Sequence, residues 1–299
     1  MRLLRRISEG NRIKITYTDR SEGAIKKLLE DERFKELVEG IELYDGVKLR
    51  PLSQEDIADL MTSPHLVLGS MRALETFVLE KCVDYEDPDY QKIHQIFDDG
   101  VLAMRLLKGG KVRSGPLFFI KVSGQRHLSM KSESQELTSE SDRFHYELSL
   151  DEIPLLKRIS EKIHGTDFSK LKSLRVACTR LERAVLERNA EDKLIDLAIG
   201  FEALFPEDER TELQSAPFRM PTGFIIASLC SSLLGRSGEE KEEIRYFIEN
   251  AYRIRNLIVH GLEFKEPIHY RENSYLLSTF VSKIEDYLRR SIKKSLELD

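Results

Sequence analysis

From about residue 165 onward, apolar residues recur at helical spacing. Leu171, Leu174, Ala177, Cys178, Leu181, Ala184 and Val185 make one amphipathic stripe. Leu194, Leu197, Ala198, Phe201, Leu204 and Phe205 form a wider arc, which Ile195 and Ile199 extend. That pattern predicts a helix over 191–205, buried nearly all round and ended by Pro206. Residues 207–219 read as a charged loop. Further helices are expected over 221–234, 239–260 and about 272–296, the last carrying Arg289, Arg290, Lys293 and Lys294 at its polar end. Strand signals stop in this half. Residues 165–299 are therefore expected to form an all-α bundle of about five helices.

Residues 1–164 read differently. Ile13, Ile15 and Tyr17 alternate with polar residues, the period of a strand. A helix is expected over 22–39. Asp45-Gly46 between two short apolar runs signals a hairpin over 41–50, closed by Pro51. Helices are expected over 53–61, 66–82 and 89–107. Residues 116–123 suit a buried strand, continued by 126–130. A polar loop follows over 131–142, then a strand through Phe144, Tyr146 and Leu148. Asp151 begins another helix, with Pro154 early in it. The chain is thus an α+β N-terminal region, 1–164, followed by an all-α helical bundle, 165–299. The added α+β region suits a sensor or regulatory role.

Composition narrows the class. At 299 residues the chain has length for two ordinary domains. A net charge of −5 argues against a basic coat for non-specific nucleic-acid binding, though it leaves room for a local basic groove. No apolar run approaches the length of a membrane span. The segment Met1 to Glu9 has basic residues but no continuous apolar core, so no secretory signal is expected. Cys82, Cys178 and Cys230 are odd in number and far apart, which suits reduced thiols in a cytoplasmic protein. The histidines show no ligand spacing with cysteine, and Gly109-Gly110-Lys111 is not a phosphate loop, so neither metal nor cofactor is expected.

The stretch Tyr252-Arg-Ile-Arg-Asn-Leu-Ile-Val-His260-Gly261 sets polar groups among apolar ones. Such groups cost free energy unless something pairs with them. Ile244, Ile248, Ala251 and Ile258 fall on one arc of an ideal helix, and Arg255 falls inside it. Asn256 and His260 are four apart and share a face. Arg255 and His260 stand about 140° apart on an ideal helix. Either the helix loosens before His260, or a second copy of the chain completes the site. The residue types fit phosphodiester cleavage. Histidine moves a proton, arginine stabilises charge on a phosphorane, and asparagine orients the phosphate or the attacking 2′-hydroxyl. In the purely structural reading His260 caps the helix and Arg255 makes a buried ion pair. Arg175, Arg180, Arg183 and Arg188 lie around the polar side of another helix, as solvated charge or as an RNA contact.

Arg255-Asn256-Leu-Ile-Val-His260 resembles the Arg-polar-x-x-x-His motif of HEPN domains. Leu194-Ile-Asp-Leu-Ala-Ile-Gly-Phe-Glu-Ala-Leu-Phe205 is similar to the Asp-containing helix of the Apea-like HEPN group, and Arg219 to Leu229 resembles its next helix. The segment Val101 to Gly109 resembles one that often precedes it. The resemblance covers about residues 165–265. It implies a helical bundle that forms a homodimer and cuts RNA without metal, in the manner of toxins and antiviral defence effectors. Arg255 and His260 carry over as catalytic and Asn256 as the motif's polar residue. Asp196 and Glu202, in the matching helix, and Arg253, beside the motif, are supporting candidates. Asp196 is expected to pair with Arg255. The alternative is a non-catalytic HEPN module that binds RNA, a nucleotide or a regulatory protein partner.

Overall fold

The computed structural model describes residues 40–51, 77–81, 90–110, 112, 117–119, 129–131, 146, 148–205 and 220–298. The expected elements over 13–18, 22–39 and 53–61 lie outside these residues, as do Cys82, Arg219, the 207–219 loop and nearly all of the 131–142 loop. The described part is mostly helical, with seven α-helices and small antiparallel sheets. No described helix is long and apolar enough to cross a membrane. The chain divides into two compact units. One is Met1–Met104 with Gly110–His164, the other Arg105–Gly109 with Gly165–Asp299.

In the first unit, β1 (Ile41–Tyr44) and β2 (Val47–Pro51) form the expected hairpin. Asp45 and Gly46 take φ of 44° and 70°, the positive values a two-residue turn needs. β3 (Phe77–Glu80) pairs antiparallel with β2 and replaces the end of the helix expected over 66–82. Leu49 stands opposite Leu79 and Arg50 opposite Val78. The Arg50–Glu80 ion pair, at 2.5 Å, ties the two strands. Distant pairing of this kind overrides a local periodicity.

α1 (Tyr90–Leu107) follows, then the separate pair β4 (Leu117–Phe119) and β5 (Ser129–Lys131). Tyr146 and Leu148 lie outside any strand, contrary to expectation. The buried Tyr146 hydroxyl donates to the Met104 carbonyl at 2.7 Å, so its burial comes from packing near α1 and not from a ladder. A 3₁₀ turn, Leu150–Glu152, leads into α2 (Ile153–His164), which lies against β1.

The second unit holds α3 (Lys172–Leu186), α4 (Ala190–Leu204), α5 (Thr222–Leu234), α6 (Gly238–Val259) and α7 (Leu277–Ser295). α3 packs on α4 and α5 on α6, while α7 touches all four. No residue from Lys193 to Phe205 is exposed, as the all-round apolar pattern of α4 requires.

The unit is not all-α. β6 (Ile268–Tyr270) and β7 (Asn273–Tyr275) form a hairpin before α7, so that helix starts at Leu277 and not near residue 272. The hairpin is held by aromatic packing. Phe247 has ring centroids 5.5 Å from Tyr270, 5.2 Å from Tyr275 and 5.4 Å from Phe280. Strands of three residues leave too little alternation to be read from sequence.

Arg289 corrects a second expectation. It is no solvated helix-end cation, being only 3% exposed. Its Nε donates to the Arg105 carbonyl at 2.8 Å, and its guanidinium pairs with Glu285 and, at 3.3 Å, with Asp286. Lys193 Nζ lies 2.5 Å from Glu285 and shares that carboxylate.

Candidate functional site

α6 carries the candidate residues at its C-terminal end. Its start is fixed by Ser237, whose hydroxyl accepts the Glu240 N–H at 3.1 Å, with Glu239 and Glu240 favourably placed in the first turn. Its middle is fixed by burial of Ile244, Phe247, Ile248, Ala251, Tyr252 and Ile254. The Tyr252 hydroxyl donates to the Ala198 carbonyl of α4 at 3.1 Å. From the other side, Gly223 of α5 backs onto Tyr252. A Cβ at Gly223 would lie 2.6 Å from the Tyr252 Cβ, so the close approach of these helices requires glycine.

The helix ends in a paired C-terminal turn. The Gly261 N–H donates to Ile258 O at 2.9 Å and the Leu262 N–H to Leu257 O at 2.8 Å. Gly261 takes φ +66°, which glycine adopts without strain. His260 is the cap residue and its ring is exposed.

Arg255 continues the apolar stripe and is half-buried. Its Nη1 donates to Asn256 Oδ1 at 3.1 Å. Its Nε is buried and has no acceptor among the described residues. Asn256 is exposed. Arg253 is exposed too, and its Nε and Nη2 both donate to Asn250 Oδ1, at 3.2 and 3.1 Å. The structure thus joins Arg255 to Asn256. Among the described residues no hydrogen bond joins the His260 ring to either.

Asp196 does not pair with Arg255. Its Oδ1 accepts from Arg180 Nη1 at 2.6 Å. The reason is packing, because α3 lies directly on α4 and brings Arg180 to that carboxylate first. Glu202 lies further along α4, half-buried, one turn beyond the Ala198 carbonyl that holds Tyr252. Sequence reasoning did not anticipate the Tyr252 anchor or the Gly223 contact. No local pattern signals either, since each depends on which helix lies opposite.

Two apolar side chains near the motif are also uncovered. Val259 is 53% and Leu262 57% exposed. Val259 follows Arg255 by four residues and so lies on the same side of α6.

This arrangement offers a guanidinium with an unmet buried donor, an amide beside it and an accessible imidazole one turn away. An unmet donor costs free energy until an acceptor arrives, and an anionic oxygen is a strong one. No family model, no curated protein and no solved structure matches the chain.

Proposed function

We propose that the chain is a HEPN-type endoribonuclease, with Arg255, Asn256 and His260 as its catalytic residues. The observation that carries this reading is Arg255. Its Nε is buried without an acceptor among the described residues, while Asn256 is exposed beside it and His260 is exposed at the end of the helix. A structural arginine would have its donors satisfied within the fold. In the proposed reaction a ribose 2′-hydroxyl attacks the adjacent phosphorus, and the bond to the 5′-oxygen of the next nucleotide breaks. The products are a 2′,3′-cyclic phosphate and a 5′-hydroxyl. His260 moves the proton, Arg255 stabilises charge on the non-bridging oxygens, and Asn256 orients the phosphate. These steps use side chains only and need no metal.

The angular separation of Arg255 and His260 supports a composite site between two copies of α6. Exposed Val259 and Leu262 supply apolar surface for that contact. The family resemblance extends the proposal to a toxin or defence effector in the cytoplasm, with the first unit as its regulatory part.

The test is cleavage of single-stranded RNA in the presence of EDTA. His260→Ala is expected to lower the rate about 10²–10⁴-fold, the usual range for a general acid or base. Equal cleavage by that variant would sink the assignment. RNA binding without turnover would favour a non-catalytic module instead.

A further inference from the structure

α3 carries a run of cations that no part of the site uses. Lys172, Arg175 and Arg183 are all exposed. Together with Thr179 they fall within an arc of about 80° on an ideal helix and span roughly 16 Å along it. Their side chains have no ion pair among the described residues. What sets them apart is their alignment on one face: Arg180, Lys193, Arg271, Lys283, Arg289 and Arg290 of the second unit meet carboxylates, and other exposed cations such as Arg236, Arg245 and Lys265 do not share one helix face.

The acidic residues of α3 and its C-cap do not neutralise the run. Glu182 pairs with Arg105. Glu187 accepts the Arg188 and Asn189 N–H groups at 2.6 and 2.9 Å. Val176, 43% exposed, flanks the arc about 20° beyond Arg183 on an ideal helix and adds an apolar contact for a sugar or base. In a chain of net charge −5, a stripe of free cations is a local exception.

We infer that this face of α3 is a track for the phosphates of single-stranded RNA, held by Lys172, Arg175 and Arg183. The identity of the polymer rests on the phosphodiester reading of the α6 site. The strand is single because attack by a 2′-hydroxyl needs a backbone free to align. Arg180 is no part of the track, since Asp196 already holds it.

The experiment measures binding of a fluorescein-labelled 2′-O-methyl oligouridylate to the full chain by anisotropy, over a range of salt. This probe has no free 2′-hydroxyl and cannot be cut, so the result stands whether or not His260→Ala loses cleavage. The combined variant Lys172→Gln, Arg175→Gln, Arg183→Gln is compared with Arg236→Gln, Arg245→Gln, Lys265→Gln. The second set removes the same charge from exposed positions elsewhere in the unit.

The first variant is expected to weaken binding about tenfold and to reduce the slope of log affinity against log salt by about 2, at roughly 0.7 per phosphate contact. The control set should leave the affinity within about twofold, given that phosphate contacts act locally. Unchanged binding by the first variant, or an equal loss in both, overturns the proposal. So does binding of polyglutamate that is lost in the first variant while the oligonucleotide binds all three alike, because that result assigns the face to an acidic protein.

Discussion

Arg255 and Arg289 occupy similar positions in sequence, and the fold treats them in opposite ways. Each interrupts the apolar stripe of a long helix in the second unit. Arg289 is 3% exposed and donates to Glu285, Asp286 and the Arg105 carbonyl. Among the described residues Arg255, half-buried, reaches only its neighbour Asn256, at 3.1 Å, and keeps a buried Nε without an acceptor. One guanidinium is part of the scaffold. The other keeps an unmet donor, which the proposed function assigns to a phosphate oxygen. The two arginines differ less in where they sit than in how many of their donors meet an acceptor among the described residues.

The same substitution at both positions puts this contrast to the test. Arg289→Met leaves Glu285 with Lys193 as its remaining ionic partner and the Arg105 carbonyl without its donor. Loss of about 3 kcal/mol or more is expected in urea unfolding, the cost of removing one partner of a buried pair. Arg255→Met removes a buried donor that had no acceptor. Its stability should hold or rise by up to about 1 kcal/mol, while RNA cleavage falls about 10²-fold or more, as for loss of a group that stabilises transition-state charge. If both Met variants destabilise alike, Arg255 is structural and the contrast fails.

A smaller effect sharpens the comparison through Asp196. Its pair with Arg180 is partly open to solvent. Asp196→Asn is expected to cost less than about 1 kcal/mol and to leave cleavage within about twofold, because the carboxylate does not reach Arg255. A loss matching that of Arg255→Met would restore Asp196 as a residue that supports Arg255.

The smallest effect concerns the core that supports both arginines. Burial pushes the Cys178 and Cys230 thiols up to about 12. A thiol in the unfolded chain ionises near 8.5. Both groups therefore have folded values above unfolded ones, and their contribution is fully present below about pH 8.5 and lost as pH rises towards 12. In peptide mapping after iodoacetamide at mildly alkaline pH, both should stay unmodified in the native chain and react in urea. Modification of either in the native chain would show that the core opens readily.

Much of this was legible in the sequence. Helical periodicity placed five helices in the second half to within a few residues at most boundaries. Asp45-Gly46 gave the hairpin, because only residues that tolerate positive φ close a two-residue turn. Gly261 gave the end of α6 for the same reason. The 140° between Arg255 and His260 follows from helix geometry alone. These are local properties, set by backbone sterics and by the spacing of apolar residues along the chain.

Other features depended on which element lies opposite. β3 became a strand because β2 was there to pair with it. Three-residue strands formed between α6 and α7 because Phe247, itself stacked on Phe280, offered its ring to Tyr270 and Tyr275. Asp196 met Arg180 because α3 lies on α4. Residues Arg105–Gly109 joined the second unit, where the Arg105 carbonyl accepts from Arg289 and its guanidinium donates to Glu182. Sequence determined where helices run and which residues share a face. Only the tertiary structure decided which polar groups found partners, because a hydrogen bond or ion pair is fixed by distance in space, and chain spacing constrains that distance only within a single element.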